Sequence, residues 1–195
     1  MKKKHKLTIL NSANSILQVY FEIAHLKDLF RQGWLQAGIP IEKCESVADH
    51  SFLTTMLAWM IAEELAPELA SEKIIKMSLL HEMGEIYGGD ITPRDGVGES
   101  EKFLLEYDSM HKVLSKLFNG EKWSALWEEF EKANSPEAKF VKQIDKLEMA
   151  LQAYSYEQSH KLDLMSFYKS TENVLEDENL KEILAEILSE KKNNV

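Results

Sequence analysis

The sequence predicts an all-α fold. Three observations carry that expectation. Apolar residues recur at steps of three and four along most of the chain. No stretch alternates apolar and polar residues long enough to suggest a half-buried strand. Capping residues, prolines and glycine pairs fall between the periodic segments, where helices start and stop. A chain of 195 residues with 44% hydrophobic content can bury a sizeable core. With no internal repeat and no low-complexity linker, residues 1–195 read as a single compact helical bundle.

Each element follows from local signals. Ile16, Val19, Ile23, Leu26 and Phe30 share one helical face, which predicts a helix over about 12–30. The stretch RQGWLQAGIP then carries two glycines and a proline and reads as a loop. Ser46 and Asp49 form a capping-box pattern with Asp in place of the usual Glu, opening a helix that runs to Ala66 and stops at Pro67. Ser71 can cap the next helix, which places Ile74, Met77, His81 and Glu85 on one side and ends at Gly88-Gly89. A charged helix spans about 99–118 and ends at Asn119-Gly120, and a short one carries Trp123 and Trp127. Ser135-Pro136 is a cap followed by proline at the first helical position. That helix carries Phe140, Ile144, Leu147 and Leu151, and one or two more finish the chain. Trp59, Trp123 and Trp127 are expected in the core.

Composition narrows the function. The formal net charge of −10 argues against a nucleic-acid partner, which would call for a basic face. An anionic substrate would have to be attracted locally, by a metal or a few cations. No run approaches the roughly 18 apolar residues of a membrane span. The start MKKKHKLTIL runs into polar NSANS without the apolar core of a signal peptide. The lone Cys44 cannot form an intramolecular disulfide, and together these features suggest a cytoplasmic protein. Among 23 basic residues only Arg31 and Arg94 are arginines. Arginine presents a fork suited to two-point phosphate binding, whereas lysine acts as a point charge.

The segment HEMGEIYGGD, residues 81–90, concentrates ionisable side chains just ahead of ITPRD. His81 and Glu82 are neighbours there. His50 follows the cap Ser46 by four positions, near the start of its helix. Asp145 lies inside the apolar run FVKQIDKLEMALQAY, where a carboxylate needs a partner. Three helices thus offer two imidazoles and two carboxylates, a set that suits Mn, Fe, Co, Ni or Zn better than Ca. Each residue alone also has an ordinary reading: a hydrogen-bonded core histidine, a solvated Glu82, or Asp145 paired with Lys142 or Lys146.

The pattern resembles the HD-domain metal-dependent phosphohydrolases, defined by H…HD…D over an α-helical domain. ESVADHS around His50, LLHEMGEIYGGDITP around His81 and SPEAKFVKQIDKLEMALQAYSYE around Asp145 are similar to the HD-domain 5′-deoxynucleotidases. The similarity covers about 26–158, leaving the C-terminal helices of 159–195 outside it. One departure stands out, because the family's doublet is His-Asp and here it is His81-Glu82.

The resemblance implies an HD-domain bundle with a divalent ion (Co, Mn, Mg, Zn, Ni or Fe) held by His50, His81, Glu82 and Asp145. It implies that Glu85 acts on the attacking water or the leaving group. It implies that Asp90 contacts the sugar 3′-hydroxyl and helps discriminate against a 2′-hydroxyl. Arg31 becomes the candidate phosphate clamp, Trp34 a residue that packs on the base or sugar, and Arg94 a weaker phosphate contact. The implied activity is release of phosphate from deoxynucleoside 5′-monophosphates, and the implied assembly is a homodimer. Two other readings remain at this point. One is a phosphodiesterase or a hydrolase of signalling nucleotides or nucleoside triphosphates. The other is a nucleotide-binding module in which Glu82 has removed productive metal geometry.

Overall fold

A computed structural model describes residues 7–193, and most of the start MKKKHKLTIL, which lacks the apolar core of a signal peptide, lies outside them. Ten α-helices occur among the described residues, and they contain no strand. In order they are α1 Ser15–Ala24, α2 Gln32–Gln36, α3 Val47–Leu65, α4 Ser71–Leu80, α5 Glu85–Gly88, α6 Glu99–Leu114, α7 Gly120–Lys132, α8 Pro136–Ser159, α9 Met165–Glu172 and α10 Glu178–Asn193. None is long and apolar enough to cross a membrane.

Two of the start signals act as written. Ser46 accepts a hydrogen bond from the Asp49 amide at 3.1 Å, and the Asp49 carboxylate accepts one from the Ser46 amide at 2.9 Å. This reciprocal box satisfies donors that the first turn of α3 leaves free. Ser135 accepts from the Ala138 amide at 3.1 Å, with Pro136 opening α8. The face of α8 that carries Val141, Ile144 and Leu147 is fully buried. Helices α3, α4, α7 and α8 pack against one another, and α9 and α10 close over α8.

Apolar side chains form two clusters. One gathers Ala58, Ile74, Met77, Ile144, Leu147, Tyr168 and Leu180 under α3, α4, α8 and the C-terminal helices. The other gathers Val47, Met83, Ile86, Met110, Val113 and Trp127 between the start of α3, α5, α6 and α7. The ionisable segment of residues 81–90 contributes Met83 and Ile86 to the second cluster.

The structure departs from expectation at several elements. The helix expected over 12–30 ends at Ala24, tightens into a 3₁₀ turn at His25–Lys27, and gives way to a bridge between Phe30 and Ser46. The expected loop at 31–40 contains α2. Ser71 is the first helical residue, and Ala70 occupies the cap without a side-chain bond. The expected helix from Ser71 to Gly88 is interrupted at residues 81–84. Trp127 is buried, but Trp59 and Trp123 are 45% and 43% exposed. Trp59 lies on the outward face of α3, beside Phe52 and Met60, which are also exposed. That helix is apolar on both sides, so spacing alone does not say which side faces the core.

Gly84 sits in the interruption because α6 leaves no room for more. A Cβ there would lie 2.6 Å from the Cβ of Glu106 and 3.1 Å from its Cα. Gly84→Ala should therefore push α5 off α6 and cost about 1–3 kcal/mol, as overpacking does. Chemical denaturation of the variant checks this, and unchanged stability would show that the two helices separate freely.

Candidate metal centre and active site

His50 lies one turn into α3, where the capping box fixes the helix start. His81 and Glu82 lie at the end of α4, where the helix opens. The freed His81 carbonyl accepts a hydrogen bond from the Trp127 indole at 3.3 Å, which compensates the break. Asp145 and Glu148 are three residues apart on α8 and share a face.

These elements bring His50, His81, Glu82 and Asp145 together, with one ligand atom from each lying within 4.8 Å of all the others. His50 Nε2 is 3.0 Å from Asp145 Oδ1, 3.4 Å from Glu82 Oε1 and 3.4 Å from His81 Nε2. His81 Nε2 is 3.5 Å from Glu82 Oε1. The second nitrogen of each ring is engaged elsewhere. His81 Nδ1 donates to the Ser78 carbonyl at 2.6 Å, and His50 Nδ1 donates to Glu148 Oε2 at 2.6 Å. With Nδ1 of both rings engaged, each imidazole, when neutral, turns an Nε2 lone pair toward the same point as two carboxylate oxygens. Four electron-rich atoms converge there with little solvent, an arrangement that fits a divalent cation.

The electrostatics divide the acids into two kinds. Burial works against the charge on Glu82, but His81, Arg31 and His50 outweigh it and hold the carboxyl well below its usual range. Burial likewise opposes ionisation of Asp145, and Lys146 and the two histidines reverse the effect. Burial dominates at Glu85, reinforced by the charges of Glu82 and Asp90, and its carboxyl is pushed well above the usual range. Glu85 is 2% exposed and its Oε2 has no hydrogen-bond partner. Burial lowers the pKa of His81. Burial and Arg31 pull His50 down as well, but its hydrogen bonds to Asp145, Glu148 and Glu82 raise it well above the usual value.

Arg31 forms the rim. Its Nη1 is 2.9 Å from Glu82 Oε1, 3.4 Å from Asp90 Oδ1 and 4.0 Å from Glu85 Oε1. Burial disfavours the guanidinium charge, but these carboxylates more than restore it. The backbone holds Arg31 against α3, with its amide donating to the Glu45 carbonyl at 3.2 Å. Asp90 Oδ2 accepts from the Gln32 amide, which ties the turn after α5 to the start of α2. Lys146 Nζ lies 2.9 Å from Asp145 Oδ2, and Lys102 Nζ lies 3.4 Å from Glu106 on α6.

Two expected substrate residues are placed elsewhere. Trp34 is 1% exposed, stacked on Phe167 at 4.1 Å, with its indole N–H donating to Glu45 Oε1 at 2.6 Å. It supports the Arg31 segment from within the core, and the contact with base or sugar gives way to this packing. Arg94 is exposed and donates to the Gln36 carbonyl at 3.3 Å, outside the carboxylate cluster. Of the alternatives for Asp145, Lys146 is the observed neighbour, while Lys142 turns toward Glu131 at 3.9 Å. Two residues escaped the sequence reading. Glu148 carried a usable signal, an acid one turn beyond Asp145 in the same apolar run. Glu45 opens the segment ESVADHS, but local spacing does not reveal its role.

Comparison with known proteins agrees with this architecture. The family model described as HD domain matches residues 23–184. The chain belongs to the HD domain family. It is 33% identical over 189 residues to human 5′-deoxynucleotidase HDDC2, covering 95% of this chain and 90% of that protein. It is 36% identical to 5′-deoxynucleotidase HDDC2 of Dictyostelium discoideum, covering 89% and 97%. Among solved structures, a conserved hypothetical protein from Pyrococcus furiosus superposes with a TM-score of 0.76 at 31% identity, covering 89% of this chain and 99% of that one.

The raised His50 basicity makes a proton the competitor of a cation. Below the pKa of His50 in the metal-free protein, binding must release that proton, so affinity falls as pH falls. His81, with its lowered pKa, adds no proton near neutrality. The apparent Kd for Mn²⁺, measured by calorimetry from pH 8 to pH 6, should rise with a limiting slope of about tenfold per unit of pH. A Kd independent of pH would place the cation away from His50.

Proposed function

We propose that the chain, acting as one unit, is a metal-dependent phosphomonoesterase that releases phosphate from deoxynucleoside 5′-monophosphates. The observation that carries this reading is the convergence of His50, His81, Glu82 and Asp145 beside Arg31 and the buried Glu85. The names of the relatives support the substrate class. The position of Glu82 Oε1, within 3.5 Å of both imidazoles, supports its service as a ligand despite the longer side chain. That placement favours an active site over a nucleotide-binding module.

His50, His81, Glu82 and Asp145 would hold the cation, with Mn, Fe, Co, Ni and Zn all suited to the mixed nitrogen and oxygen set. When bound, such an ion lowers the pKa of water and polarises a phosphoryl oxygen. The remaining work falls to this chain's own groups. Arg31 offers its fork to the phosphate oxygens and is already oriented by Glu82 and Asp90. Lys102 and Lys146 add positive charge to an otherwise acidic rim. Glu85, kept protonated by burial, gives its proton to the 5′ oxygen as the phosphorus–oxygen bond breaks. Water supplies the new oxygen on phosphorus, and the products are a deoxynucleoside and inorganic phosphate. Asp90, held between Arg31 and the Gln32 amide, stands ready to accept from a sugar 3′-hydroxyl. A 2′-hydroxyl would be rejected by crowding against that rigid turn.

The outward apolar face of α3, with Phe52, Trp59 and Met60 exposed, supports assembly with a second copy as a homodimer, and light scattering that gives the monomer mass would refute it.

Phosphate release with Mn²⁺ or Co²⁺ should be fastest with deoxynucleoside 5′-monophosphates and slower with the ribose, diphosphate and triphosphate forms. Glu85→Gln should lower kcat by about 10²–10⁴-fold, the usual share of general acid–base catalysis, with the bound metal retained. Preferred hydrolysis of triphosphates, or full activity in Glu85→Gln, would overturn the assignment.

A further inference from the structure

Behind the metal ligands lies a second buried acidic group. Glu45, His50 and Glu148 offer ligand atoms within 4.8 Å of one another, and all three residues are buried. Glu148 is 4% exposed and makes one hydrogen bond, to His50 Nδ1 at 2.6 Å. Glu45 is pinned along its length. Its amide donates to the Tyr156 hydroxyl at 2.8 Å, its carbonyl accepts from the Arg31 amide at 3.2 Å, and its Oε1 accepts from the Trp34 indole at 2.6 Å. Its Oε2 is buried without a partner.

A buried carboxylate is costly unless something requires it. An amide or a hydroxyl could satisfy one imidazole N–H at lower cost. A carboxylate also fixes the tautomer with Nε2 unprotonated, stops the ring from turning, and makes Nε2 a stronger donor to a cation. Glu45 lies beside Glu148 and His50, with ligand atoms of the three within 4.8 Å of one another. The same Glu45 grips the Arg31 segment through its carbonyl and through Trp34. One buried residue, through its backbone and its side chain, thus joins the Arg31 segment to the back of the metal centre.

We infer that Glu148 is a positioning residue of the metal centre, aiming His50 Nε2 at the cation, and that Glu45 and Trp34 brace it from behind. The inference rests on the reading that His50, His81, Glu82 and Asp145 hold a divalent ion. Glu148 acts through His50 and touches neither the cation nor the substrate. It is the partner that distinguishes the two histidines, since His81 is aimed by a backbone carbonyl and His50 by a charged side chain.

The test is a Co²⁺ titration of the full chain freed of metal by chelation, followed by the visible absorption of the bound ion. Glu148→Gln keeps an acceptor for the Nδ1–H but removes the charge. It should weaken Co²⁺ binding about tenfold and leave the shape of the spectrum unchanged. Glu148→Ala frees the ring and should weaken binding about 100-fold, at the upper end of the range for such partners, with a changed spectrum. A role confined to packing would lower the melting temperature of the metal-free variants and leave affinity and spectrum as in the parent. Parental Co²⁺ affinity and spectrum in Glu148→Gln would overturn the inference, whether or not Glu148→Ala folds. Asp145→Ala is the control, expected to abolish binding. Parental binding in that variant would instead refute the metal centre itself, a failure distinct from that of Glu148.

Discussion

The structure is organised around a repulsion. With His50 neutral, two imidazole lone pairs and two carboxylate oxygens face one another at 3.0–3.5 Å inside the protein. Water is too scarce there to screen them, and low dielectric magnifies the cost. Only a positive charge at their centre turns that cost into binding energy. Hydrogen bonds to Asp145, Glu148 and Glu82 raise the His50 pKa, so a proton there supplies that charge in part, and a divalent ion would supply it in full. Apolar packing of α3, α4 and α8 in one shared cluster holds the helices that carry these four groups together.

Around this centre, the pKa values of neighbouring acids are pushed in opposite directions. Glu82 and Glu85 are three residues apart, yet His81, Arg31 and His50 pull the carboxyl of one well below the usual range, and burial beside like charges pushes the other well above it. Pairs of carboxyls pushed in opposite directions are a common means of placing an acid and an anion in one site at neutral pH. Arg31 is central to that division, because it stabilises Glu82 and Asp90 while remaining at the rim, where a phosphate would approach. The longer side chain at position 82 contributes here, since a single oxygen contacts Arg31 and lies beside both histidines.

Much of this was legible in the sequence where the signal was local. Ser46 with Asp49, and Ser135 with Pro136, announced helix starts that the structure keeps, because a cap is decided within four residues. The all-α class followed from periodicity, and the four converging residues followed from pattern and family resemblance. The rest depended on partners distant in sequence. The break after Leu80 is tolerated because Trp127, 46 residues away, donates to the His81 carbonyl. Trp34 is read correctly only once Phe167 and Glu45 are known to enclose it. Trp59 shows the limit of spacing arguments on a helix that is apolar all round, since α3 buries Ala58 and Ile61 and turns Trp59 outward. Glu45 opens the segment ESVADHS that resembles the family, but its role arises from contacts with Arg31 and Trp34 at α2 and Tyr156 on α8, which local spacing does not reveal.

The most direct measurement is anomalous diffraction at the manganese absorption edge from crystals of the protein grown with Mn²⁺. One strong peak per chain, bounded by His50 Nε2, His81 Nε2 and carboxylate oxygens of Glu82 and Asp145, is the predicted result. A peak elsewhere, or density in which these four side chains point away from a common centre, would contradict the account.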